Sequence, residues 1–129
     1  MADDTTASPD RDTMPLDADR LLRIADRLGD VDAGGSAADS TIHQALDLAG
    51  SVQGYTTDDD AARGLLPAGF EWCQPVYSAG AFYVACRRAG LDGDGLNHPH
   101  AGQWGRTLAL AMCGAAMRGH IIARGAAQA

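Results

Sequence analysis

Apolar residues recur at every third or fourth position in the first half of the chain, which is the period of an amphipathic helix. This pattern predicts a helix over residues 17–28, with an aspartate in position to cap its start and Gly29 to end it. A second helix is predicted over residues 40–48. Either Asp39 or Ser40 is a suitable N-cap for it, because both carry a short side chain that can accept a backbone hydrogen bond.

A short strand and a third helix are predicted next. Residues 52–56 have the composition of a short strand, and residues 57–66 return to helical spacing. Thr57 and Asp60 have the spacing of a capping box, and Pro67 ends the helix. The three consecutive aspartates of this first turn suit the positive end of the helix dipole, so capping explains them better than a metal site.

Alternating side chains then predict a β-hairpin. Residues 70–75 alternate, with Phe70 and Trp72 facing the core, and residues 81–88 are rich in β-branched and aromatic types. Residues 78–80 form the turn. Pro75 indicates that the first strand lies at a sheet edge or ends there, because proline cannot donate to a central ladder.

The pattern changes again after the hairpin. Residues 90–105 are rich in glycine and lack periodicity, which predicts a long loop. Residues 106–122 are apolar on nearly all sides and predict a helix packed closely on the sheet. The chain is therefore expected to be α+β, with a small antiparallel sheet of two to four strands, about four helices and the order αα(β)αββα.

Composition separates the start of the chain from the rest. Residues 1–15 are polar and acidic and contain two prolines, so we expect a disordered tail in front of a single domain over residues 16–124. The formal net charge is −7, and most of it lies in the first 40 residues. Because the remainder is nearly neutral, a nucleic-acid partner is not expected. Neither a membrane span nor a secretion signal is recognisable, which favours the cytoplasm.

The order of motifs resembles the phage ABA-sandwich-like family of small phage and prophage proteins. The resemblance covers residues 20–120, and its most specific part is the segment around Tyr55 and Trp72. The residues that carry it are Asp39, Ile42, Ala45, Leu46, Tyr55, Thr56, Thr57, Asp60, Ala61, Ala62, Leu66, Pro67, Gly69, Phe70, Trp72 and the terminal helix from Thr107 to Ala116. Phe70 stands where tryptophan is common in that family. The resemblance implies a fold and a phage or prophage origin, and it brings no catalytic residue with it.

Arginine, histidine and tryptophan side chains surround the predicted loop and form the candidate ligand site. Helix N-termini bind anions and arginine binds phosphate through two parallel hydrogen bonds, so a nucleotide-like anion is the ligand that fits. We expect the arginines to converge on one face because one loop joins the strand that ends with two of them to the helix that begins with the third. The alternative is an ordinary solvated strand end. The candidate residues are Arg87, Arg88, His98, His100, Trp104 and Arg106.

No metal or cofactor site is predicted. The aspartates and histidines between Asp92 and His100 include a His-x-His pair, but an ordinary solvated loop explains them better than a metal centre. Cys73, Cys86 and Cys113 have apolar neighbours and form no C-x-x-C pair, so burial in the core is the expectation for all three.

These observations favour a phage or prophage accessory protein that acts by binding a host or phage protein or a small anionic ligand. One alternative is a small enzyme or sequestering protein for a nucleotide-like anion at the His/Arg loop. Another is a minor virion or assembly component. The sequence does not decide whether the protein is an enzyme, but the lack of a nucleophile motif favours a protein that is not one. Self-association is also undecided.

Overall fold

The structure is a computed structural model that describes residues 17–90 and 100–128, and it describes the side chains of residues 17–90 and 101–123. The predicted tail and the loop residues 91–99 lie outside the described part. Within that part, three helices precede four strands, and a long helix follows. The elements are α1 (Ala18–Asp30), α2 (Ser36–Ala45), α3 (Asp59–Arg63), β1 (Phe70–Trp72), β2 (Val76–Ser78), β3 (Ala81–Arg88), β4 (His100–Gly105) and α4 (Leu108–Gln128).

The four strands form one antiparallel sheet with β3 at its centre. β1 pairs with the C-terminal half of β3 and β2 with its N-terminal half, so both lie along the same edge. The predicted turn at residues 78–80 joins β2 to β3. β4 lies along the other edge, from Gly105 opposite Phe82 to His100 opposite Arg87.

A β-bulge separates β1 from β2. Trp72 pairs with Cys86, whereas Val76 pairs with Tyr83, so the edge contains one more residue than β3 between these pairs. The extra residue reverses which positions face each side of the sheet. Pro75 lies within this interruption, as its missing N–H group requires.

The described helices pack on one face of the sheet. α4 and α1 cover β3 and β4, and their interface is tied together by the buried side chain of Gln103. Its amide Nε2 donates to the carbonyl of Ala25 in α1 at 2.7 Å, and its Oε1 accepts from Arg118 Nε in α4 at 2.9 Å. Arg118 also forms an ion pair with Asp26 at 2.6 Å. The other face of the sheet is not covered by any described helix.

The α+β class and the small antiparallel sheet are confirmed, with four helices and four strands in the described part of the chain. No helix among the described residues is long and apolar enough to cross a membrane.

The bounds of the first two helices differ from those predicted. α1 continues through Gly29 to Asp30, so the prediction that Gly29 ends it is wrong. Gly29 instead leaves room for Gln103, whose Nε2 would lie 2.7 Å from a Cβ atom at this position. α2 begins four residues earlier than predicted, with Gly35 as its N-cap. Asp39 is therefore an internal helical residue and is buried, so its prediction as a cap is wrong, as is that of Ser40.

The third helix is shorter than predicted. α3 is capped by Asp58, whose carboxylate accepts from the backbone N–H of Asp60 at 3.0 Å, so the predicted capping box at Thr57 is not formed. No strand forms over residues 52–56, which form a loop and the start of a turn. Tyr55 and Thr56 are buried there, and hydrogen bonds to the helices replace a strand ladder.

The predicted loop over residues 90–105 contains β4, so the loop prediction is wrong for its last six residues. α4 begins at Leu108 rather than at residue 106, and Thr107 Oγ1 accepts from the N–H of Leu110 at 3.1 Å. α4 also extends past residue 122, to Gln128.

Candidate functional site

A row of three large side chains crosses the open face of the sheet, which is the face opposite α1 and α4. Paired residues on neighbouring strands face the same side. Val76 pairs with Tyr83, and Tyr83 pairs with Trp104, so the three side chains lie side by side across β2, β3 and β4. Val76 is 50% exposed and Trp104 is 48% exposed. We call this set the open-face row.

The ring of Tyr83 lies against the backbone of the neighbouring strand β4. A Cβ atom at Gly102 would collide with the Tyr83 hydroxyl, so the phenol ring lies across the backbone of β4 where glycine leaves room. The ring of Trp104 contacts it at 5.2 Å between centroids, with an interplanar angle of 54°. The two rings therefore form one continuous aromatic surface.

An ion pair lies further along the same face. Glu71 pairs with Arg87 in the register, and Arg87 Nε donates to Glu71 Oε2 at 2.9 Å. The described residues between this pair and the open-face row are small: Cys73, Ala85 and Gly102. The open face thus has aromatic side chains at one end and an ion pair at the other, and the residues between them are small.

The structure brings together only some of the predicted ligand residues. Arg87 and Trp104 lie on the open face, and His100 occupies the register position opposite Arg87. The side chain of His100 and the whole of His98 lie outside the described part. The anion-binding role of these residues stays a prediction.

The expected convergence of the arginines is wrong. Arg88 lies on the helix-covered face, with its guanidinium 5.1 Å from the centre of the Phe70 ring. Arg106 follows the far end of β4, about 17 Å along β3 from Arg87, and its Nε lies 3.9 Å from Asp32. The end of β3 and the start of α4 are not neighbours, because β4 carries the chain back along β3 from Arg87 to Phe82.

Two of the three thiols, those of Cys86 and Cys113, are unsuited to nucleophilic chemistry. Burial raises the pKa of Cys86 to about 12, with Cys73 as a smaller cause, and burial together with nearby Asp39 raises the pKa of Cys113 to about 12. Thiols with such values are protonated at neutral pH and unreactive. Cys86 and Cys113 are in the core as predicted, whereas Cys73 is half-buried on the open face, which corrects its prediction. Among the described residues, no three metal-binding side chains come together.

Several residues that carry the sequence resemblance form structural contacts with one another. The Asp39 carboxylate accepts hydrogen bonds from the backbone N–H of Thr56 at 2.8 Å and from its hydroxyl at 2.6 Å. The hydroxyl of Tyr55 is 2.8 Å from His43 Nδ1, and its carbonyl accepts from the Cys113 thiol at 3.0 Å. These contacts fasten the loop before α3 to α2 and α4.

Sequence reasoning did not identify Val76 and Tyr83 as surface residues. The alternation over residues 81–88 places Tyr83 and Phe82 on opposite faces of the strand, so the sequence did contain a signal for the position of Tyr83. The position of Val76 could not be obtained from alternation, because the bulge at Pro75 changes the parity of the strand.

Comparisons with protein-family models, with curated proteins and with solved structures find no match for this chain.

Proposed function

We propose that this chain is a phage- or prophage-derived accessory protein that acts by binding a partner protein through the open face of its sheet. The observation that carries this proposal is the open-face row, in which Val76, Tyr83 and Trp104 lie side by side outside the helix-covered core. The phage origin rests on the sequence resemblance, whose Asp39 and Thr56 are in direct contact.

The residue types of the open face support a protein partner. Trp, Tyr and Arg are the types most often found at the energetic centre of protein interfaces, and this face carries Trp104, Tyr83 and Arg87. Large exposed apolar side chains that lie together are more typical of interaction surfaces than of bare monomer surface. Because Tyr83 is already fixed over Gly102, little side-chain entropy is lost when a partner covers it.

The test compares two exposed aromatic residues of the same sheet. The tagged full-length chain is purified from bacterial cells and its complexes are weighed by native mass spectrometry. We expect a stoichiometric protein partner with the wild type that is lost in Trp104→Ser and Val76→Ser. Tyr77→Ser is the matched control, since Tyr77 is 64% exposed but pairs with Phe82 on the opposite face.

A partner that is retained by Trp104→Ser and Val76→Ser would contradict the proposal, and so would the absence of any partner protein from the wild-type complexes. Circular dichroism of each variant establishes that the fold is intact. Trp104 emission in a Trp72→Phe background gives a second readout. It should shift to shorter wavelength when a partner excludes water from the ring.

A further inference from the structure

A groove in the helical layer is separate from the open face. It lies between α1 and α2 and has a volume of about 740 Å³. Its floor is aliphatic and consists of residues from both helices and the loop between them: Ile24, Leu28, Val31, Ala37 and Ala38. The alanines of α2 leave space that larger side chains would fill, so the groove can accept side chains from another molecule.

Two arginines line this groove one helical turn apart. Arg23 and Arg27 are both exposed, and no described acidic residue forms an ion pair with either of them. Other arginines are paired in this structure, for example Arg87 with Glu71. The lining also contains one carboxylate, that of Asp30, so the groove carries a net charge of +1 in a chain whose net charge is −7.

We propose that this groove is a docking site for an acidic amphipathic helix of a partner protein. A helix can place its apolar residues, spaced three and four positions apart, against the aliphatic floor. Carboxylates spaced one turn apart on the same helix then meet Arg23 and Arg27, which have that spacing on α1. The opposite charges also speed association and disfavour basic partners. The site is independent of the open face and of the function proposed for it.

The probe is a designed helical peptide of about 18 residues, with leucines on one face and glutamates flanking them. Its binding to the full-length chain is measured by fluorescence anisotropy. The control peptide has glutamine in place of every glutamate. We expect the glutamate peptide to bind more tightly, by about fivefold or more, and to lose that advantage at high salt, because exposed ion pairs are weak singly and screened by ions.

Variants of the chain locate the binding. Arg23→Gln combined with Arg27→Gln should remove the preference for glutamate, whereas Arg63→Gln, which breaks an exposed ion pair on α3, should not. Ala37→Trp should fill the groove and prevent binding of both peptides. Ala37 is exposed, so circular dichroism and the melting temperature should show an intact fold.

Trp104→Ser separates this site from the open face, since it should bind the glutamate peptide as the wild type does. The docking proposal is overturned if neither peptide binds, if both bind equally, or if the double arginine variant retains the preference. It is also overturned if Ala37→Trp binds normally. Each of these results would leave the open-face proposal standing, because none involves the open-face row.

Discussion

At the scale of single residues, the two tryptophans of the chain lie on opposite faces of the same sheet. Trp72 packs against the core together with Phe70, as the alternation predicted, whereas Trp104 belongs to the exposed open-face row. No described residue accepts a hydrogen bond from the buried indole Nε1 of Trp72. Trp72 therefore contributes packing, and its polar atom contributes none of the stability.

We expect Trp72→Ala to lower the free energy of unfolding by about 3 kcal/mol, because it leaves a large cavity at the sheet–helix interface. Trp72→Phe should lower the free energy of unfolding much less, since it keeps an aromatic ring and removes a buried donor without a partner. Urea denaturation of both variants measures the difference. Equal losses for the two substitutions would show that packing is not what Trp72 supplies.

Asp39 shows the limit of local rules at this scale. A short acidic residue before an apolar run is typical of an N-cap, and that rule placed Asp39 or Ser40 at the start of α2. In the structure, helix α2 begins at Ser36, and Asp39 instead accepts two hydrogen bonds from Thr56, 17 residues later. A partner that far along the chain cannot be recognised from residue type and spacing alone.

At the scale of elements, the turn between β2 and β3 uses one residue in an unfavourable conformation. Ala79 has a φ of 52° and Gly80 a φ of 83°, so both central positions of the turn are left-handed. Two-residue hairpin turns of this kind prefer Asn-Gly, because asparagine tolerates positive φ better than alanine. The strand register holds Ala79 in this conformation, since Ser78 pairs with Ala81 on either side of the turn.

We therefore expect Ala79→Asn to raise the free energy of unfolding by about 0.5–1 kcal/mol. Ala68→Asn is the control, since Ala68 is also exposed but has no positive φ. Thermal melts of the two variants provide the comparison. If both substitutions raise the free energy of unfolding equally, the gain comes from placing an amide at an exposed position and not from the positive φ of the turn.

The helices and strands that could be predicted are those whose apolar residues follow the period of the element itself. The hairpin strand β3 and the core face of α4 follow directly from alternation and apolar spacing. β4 was missed because Gly102 and Gly105 remove the usual strand signal. Both glycines are explained by neighbours in space: Gly102 lies under Tyr83, and a Cβ atom at Gly105 would lie 2.6 Å from the backbone nitrogen of Ala111.

At the scale of the whole molecule, the missed strand also decided the outcome for the candidate site. The sequence identified Arg87 and Trp104, which do share the open face, but it grouped them with Arg106, which β4 carries to the opposite end of the sheet. The sequence could thus predict which residue types lie near the surface. Which of them lie close together depends on how the strands pair. The aromatic centre of the site depends on that pairing as well, because Tyr83 and Trp104 come from different strands.

The helix-covered face of the sheet also determines how the protein responds to alkaline pH. Cys86 donates to the carbonyl of Ala115 at 3.5 Å and Cys113 to that of Tyr55 at 3.0 Å, and neither thiol is accessible to water. Burial raises the pKa of each from 9.0 to about 12. Well below pH 9 both thiols are protonated whether the chain is folded or unfolded, so they cause no dependence of stability on pH there.

Between pH 9 and 12 the unfolded chain loses these protons and the folded chain keeps them, so the free energy of unfolding should fall as pH rises. The expected slope is about 1.4 kcal/mol per pH unit for each thiol. Urea denaturation across this range, in a reducing buffer, should show a shallower slope for Cys86→Ala and for Cys113→Ala than for the wild type. The comparison uses the slopes, because each substitution also lowers stability at neutral pH through the cavity it leaves. Wild-type slopes in both variants would mean that water reaches these sulfurs in the native state.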